Sequence, residues 1–88
     1  MMLTRSNSHG LTYCLFGQVD NSTKIVHKGK SITVAHHIDK MNMAWFQWTM
    51  GGKFIQEAFD FLTRDEREFL KTGITPAEWQ EIFAERPS

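Results

Sequence analysis

From Leu11 to Ile38 the hydrophobic and polar positions follow the pattern of strands. Leu11-Thr12-Tyr13-Cys14-Leu15-Phe16 is rich in aromatic and β-compatible residues, and Asp20-Asn21-Ser22 supplies a turn. Thr23-Lys24-Ile25-Val26-His27 and Ser31-Ile32-Thr33-Val34-Ala35-His36 then flank Lys28-Gly29-Lys30, whose glycine suits a short hairpin connection. The simplest result is a three-stranded antiparallel meander. In its last strand Ile32, Val34, His36 and Ile38 share one face at period two, and Thr33, Ala35 and His37 take the other.

From Asp39 the period lengthens. Ile38, Met41, Trp45 and Trp48 recur at helical spacing, with Ala44 beside them, which predicts a helix of about three turns. Gly51-Gly52 ends or kinks it, because two glycines cost roughly 2 kcal/mol relative to alanines inside a helix. A short helix follows, with Phe54, Ile55, Ala58, Phe59 and Leu62 on one side. Thr63-Arg64-Asp65-Glu66 is a capping box that starts a helix over 64–72, and Gly73 fits the left-handed position after its last turn. Thr75-Pro76-Ala77-Glu78 repeats the device, with Ile74 and Trp79 forming a hydrophobic staple and Trp79, Ile82 and Phe83 the buried stripe of the last helix. The fold class expected is α+β, a three-stranded N-terminal meander followed by three to four short helices. Residues 1–10 are expected to be a flexible tail and 11–88 a single domain, with strands over about 11–38 and helices over about 39–85.

The chain has 88 residues and no formal net charge, which suits one small domain whose large apolar side chains are mostly needed for the core. No apolar run reaches the roughly 18 residues that span a bilayer, and Met1–Gly10 lacks the apolar centre of a signal peptide, so a cytoplasmic protein without a membrane partner is expected. The zero hides a division along the chain. Up to Gln56, six basic residues (Arg5, Lys24, Lys28, Lys30, Lys40, Lys53) oppose Asp20 and Asp39 for +4, and the remainder is the mirror image at −4. All four histidines lie in the basic part.

No catalytic constellation accompanies this layout. Cys14, His27, His36, His37 and Asp39 are potential zinc ligands, but adjacent histidines on a strand point to opposite faces and no C-x-x-C or H-x-x-x-H pair nucleates a site. Cys14 sits mid-strand, as a buried hydrophobe does, and Asp65, Glu66 and Glu68 lie among arginines on a solvated helix face. Gly51-Gly52-Lys53 lacks the rest of a phosphate loop. No enzyme activity, metal or cofactor is expected. The helix–Gly73–helix segment has helix-turn-helix dimensions, yet its second helix is acidic and phosphate would repel it.

Two binding surfaces remain. Trp45, Phe46, Trp48 and Met50 offer residue types enriched at protein interfaces, against the plainer reading that they fill the core. A protein partner or a second copy of the chain would use that region. The alternative is RNA or single-stranded DNA on the basic hairpin, with Lys24, His27, Lys28 and Lys30 meeting phosphates and Tyr13 or Phe16 stacking on bases. The segment Gly52-Lys53-Phe54-Ile55-Gln56-Glu57-Ala58-Phe59-Asp60-Phe61-Leu62-Thr63, continued by Arg67-Glu68-Phe69-Leu70-Lys71-Thr72-Gly73-Ile74-Thr75-Pro76-Ala77-Glu78-Trp79, resembles a segment of short phage-encoded proteins. That resemblance spans about a third of the chain and implies a small accessory protein that binds a host or defence protein stoichiometrically.

Overall fold

The alternating first part of the chain folds into a four-stranded antiparallel sheet of β1 (Met2–Ser6), β2 (Thr12–Gly17), β3 (Thr23–His27) and β4 (Lys30–Val34), in the order β1-β2-β3-β4. Four helices follow: α1 (Ile38–Thr49), α2 (Ile55–Ala58), α3 (Arg64–Thr72) and α4 (Pro76–Ala84). The structure, a computed structural model, describes residues 1–84 without the side chains of Phe83 and Ala84. Residue 85, the expected helix end, and the last residues of the expected 11–88 domain lie outside the described residues.

The α+β class stands, with one strand more than expected. Met2–Ser6, assigned to a flexible tail, pairs with β2 from Met2 opposite Phe16 to Ser6 opposite Thr12. Side chains far along the chain hold this strand. The Asn7 carboxamide oxygen accepts from the N–H groups of His9 and Leu11, both at 2.9 Å, and so shapes the β1–β2 turn. Its nitrogen donates to the carbonyls of Leu70 at 2.8 Å and Lys71 at 3.3 Å, near the end of α3. Asn7 is buried, and its donors and acceptors are both engaged.

The β3–β4 connection is a two-residue turn, with Lys28 at φ 49° and Gly29 at φ 77°, the paired positive angles of a hairpin turn that matches strand twist. The last strand ends at Val34, short of His36. Buried Thr23 donates its hydroxyl to the His36 carbonyl at 2.7 Å and turns the chain there. His36 therefore does not share a strand face with Val34; its ring meets Phe61 edge-on at 4.7 Å. His37 becomes the N-cap of α1, its Nδ1 accepting from the Asp39 N–H at 3.1 Å.

All four helices come after the sheet in sequence, and the core lies on one sheet face. Tyr13, Leu15, Ile25 and Val34 from the strands meet Ile38, Met41, Ala44 and Trp45 from α1, with Ala58, Phe59, Leu62, Phe69 and Leu70 completing the cluster. Each large side chain so buried is worth about 1.5–3 kcal/mol. The other sheet face carries Met2, Thr4, Cys14, Phe16, Lys24, Val26, Ser31 and Thr33, all exposed or half-buried.

Both capping boxes form. The Glu66 N–H donates to the Thr63 hydroxyl at 3.2 Å while the Thr63 N–H donates back to Glu66 at 2.9 Å, and Thr75 and Glu78 repeat the exchange at 3.2 and 3.0 Å. Gly73 closes α3 at φ 79°, and a Cβ there would lie 2.8 Å from the His27 ring, so both backbone angle and close approach demand glycine. The stripe expected on α4 is only partly present. Trp79 is half-buried, Ile82 is 41% exposed because α4 packs along α3 at the rim of the core, and the Phe83 side chain lies outside the described residues.

Candidate functional site

The helix α1 is apolar on two sides. Ile38, Met41, Ala44 and Trp45 face the core and are all buried. Met43, Phe46 and Met50, at i, i+3 and i+7, point the other way and are 68, 63 and 74% exposed. The inner side already satisfies the helix's need for burial, so the outer line is surplus to the fold.

Structure divides the four residues expected to bind protein. Phe46 and Met50 lie on the exposed line, which Met43 extends. Trp45 is corrected to the core: it is 1% exposed, its indole Nε1 donates to the Ser6 carbonyl at 2.9 Å, and its ring meets Tyr13, Trp48 and Phe59 edge-on. Trp48 is half-buried, its ring 5.5 Å from Trp45 and 6.1 Å from Phe59, so it belongs mostly to the core margin.

Between α1 and β1 runs a groove of about 470 Å³, lined by Arg5, Ser6, Asn42, Met43, Trp45, Phe46, Thr49 and Met50. Most of that lining is apolar, and Arg5 is its one charged residue. The Arg5 Nε donates to the Asn42 side-chain oxygen at 2.9 Å and its Nη1 to the Thr4 carbonyl at 2.8 Å. The guanidinium is thus held in place by neutral acceptors. Arg5, Asn42 and Met43 escaped the sequence reading. Met43 had a signal, its spacing from Phe46 and Met50, whereas Arg5 and Asn42 meet only because β1 pairs into the sheet.

The hairpin surface shrinks on folding. His27 is corrected to a core side chain, 7% exposed and stacked on Tyr13 with ring centroids 4.6 Å apart. Its Nδ1 lies 2.8 Å from the Thr12 carbonyl, which only accepts, so Nδ1 carries the proton. Lys30 pairs with Glu78 at 3.1 Å and ties the hairpin to α4. Tyr13 is fully buried with its hydroxyl donating to the Phe69 carbonyl at 2.6 Å, which removes it as a stacking platform. Lys24 and Lys28 stay exposed, and Lys24 sits opposite Phe16 on the outer sheet face.

Perturbed ionisations fall outside the groove. Burial pushes the Tyr13 hydroxyl up to about 12. The Thr75 N–H, followed by the Lys30 ammonium, holds the Glu78 carboxyl below its ordinary value, and the Ser22 hydroxyl and N–H do the same for Asp20. Among the described residues no three His, Cys, Asp or Glu side chains gather as a metal site, and no helix is long and apolar enough to cross a membrane. Compared with known proteins, the chain matches no family model, no curated protein and no solved structure.

Proposed function

We propose that this chain is a non-enzymatic accessory protein that binds another protein stoichiometrically, through the outer face of α1 and the groove beside it. The observation that carries this reading is the line Met43, Phe46 and Met50, each about two-thirds exposed on a helix whose opposite side already fills the core. Contiguous exposed apolar side chains of this kind mark interaction sites, and methionine adapts its shape to a partner at little conformational cost. The resemblance to phage-encoded proteins supports a host or defence protein as the partner.

Affinity capture from the source cell with the wild-type chain and with Phe46→Asp tests the reading. A partner retained by the first and lost by the second, with unchanged far-UV circular dichroism, is the expected result. Equal capture by both would overturn it.

A second reading, single-stranded nucleic acid on the outer sheet face, is favoured by the juxtaposition of Phe16 and Lys24 as cross-strand partners. It predicts oligonucleotide binding that weakens steeply with salt and with Lys24→Glu plus Lys28→Glu.

A further inference from the structure

We propose that the groove between α1 and β1 receives an amphipathic helix of another protein, whose flanking carboxylate pairs with Arg5; this rests on the protein-binding reading above and names the chemistry of the partner.

Charge indicates an acidic partner. Arg5 is the one charged lining residue, and among the described residues no carboxylate lies within ion-pair distance of it. Its acceptors, Asn42 and the Thr4 carbonyl, are neutral, so they orient the guanidinium without neutralising it. The remaining N–H donors of a fixed fork suit a carboxylate.

The backbone of β1 argues against an added strand. The Gly17 N–H donates to the Met1 carbonyl and the Asn7 N–H to the Leu11 carbonyl, so the odd-numbered residues of β1 bond to β2. The even-numbered ones turn their backbone groups to the free edge. Two of those carbonyls are already engaged, Thr4 by the Arg5 guanidinium and Ser6 by the Trp45 indole. A strand docking along this edge would have to displace both bonds, which protect it as covered edges are protected elsewhere. A helix needs no such acceptors. Met43, Phe46 and Met50 instead offer an apolar seam about 10 Å long on α1, matched by apolar residues at i, i+3 or i+4, and i+7 of a facing helix.

Other occupants fit less well. A small ligand normally has about 70–90% of its surface enclosed, but the groove's apolar wall remains open to solvent. A second copy packing the same face about a two-fold axis would present the same lining residues to Arg5, and no Asp or Glu lines the groove to pair with the guanidinium.

The test is selection from a displayed library of helical peptides, randomised at surface positions, against the full-length protein. The expected clones carry apolar residues at i, i+3 or i+4, and i+7 with a flanking Asp or Glu, and lose binding to Phe46→Asp. For such a clone, Arg5→Gln weakens affinity roughly tenfold or more, and replacing the peptide's acid by lysine does the same on the wild-type protein. The peptide-side exchange decides the matter if Arg5→Gln does not fold. Groove-dependent clones with no acidic preference, or extended rather than helical ones, would overturn this inference and leave the protein-binding reading standing. Clones indifferent to Phe46→Asp would overturn both. Light scattering showing a dimer that Phe46→Asp dissociates would assign the groove to a second copy and likewise overturn the inference.

Discussion

The two sides of α1 differ little in composition and greatly in circumstance. Inside, Met41 and Trp45 are 0 and 1% exposed; outside, Met43, Phe46 and Met50 carry the same kinds of side chain at 63–74% exposure. A methionine or an aromatic ring therefore says nothing about role until its angular position around the helix is known. Burial on the inner side is enforced by polar as well as apolar contacts, since the Trp45 indole satisfies a β1 carbonyl and Tyr13 satisfies one in α3. The outer side has Arg5, Ser6, Asn42 and Thr49 as polar neighbours in the groove, and these shape it instead of closing it.

The contrast predicts a graded response to mutation. Trp45→Ala removes a buried ring and orphans the Ser6 carbonyl, so urea titration should show a loss of about 3–5 kcal/mol or outright unfolding. A loss below about 1 kcal/mol would erase the distinction between the two sides. Alkaline pH probes the inner side next. Between the ordinary value of 10 and about 12, the unfolded chain ionises Tyr13 while the folded chain retains the proton, so stability falls as pH rises, by about 2–3 kcal/mol in all. Tyr13→Phe should abolish that component of the pH–stability curve. Asn7→Ala should cost about 2 kcal/mol, because it leaves the β1–β2 turn and the end of α3 without their shared partner, and it should also weaken any binding that uses the β1 wall of the groove. Phe46→Asp and Met50→Asp come last, with stability within about 0.5 kcal/mol of wild type.

How much of this could be read from the chain depended on how local its causes were. Both capping boxes and Gly73 are specified by a few adjacent residues and form as read, while the connection read as Lys28-Gly29-Lys30 closes as the two-residue turn Lys28-Gly29, with Lys30 the first residue of β4. β1 was missed because Met2-Leu3-Thr4-Arg5-Ser6 offers one large apolar residue to the core side, and its anchor, Asn7, acts on residues more than sixty positions away. Parity could have placed His27, which follows Thr23 and Ile25 at period two on the buried side. The end of β4 could not be read in the same way, since the Thr23 bond to the His36 carbonyl is a tertiary contact. Half of the proposed binding surface is legible in the sequence as Phe46 and Met50. The other half depends on β1 meeting α1, which no local pattern announces.

Amide chemical-shift mapping of the labelled protein, titrated with a selected acidic helix, tests the central claim most directly, that the outer side of α1 is a docking surface the fold does not need. The account predicts that the largest changes fall on Arg5, Asn42, Met43, Phe46, Thr49 and Met50, while the inner-side residues and the outer sheet face around Phe16 and Lys24 stay still. Changes centred on Phe16 and Lys24, or none along the groove, would contradict it.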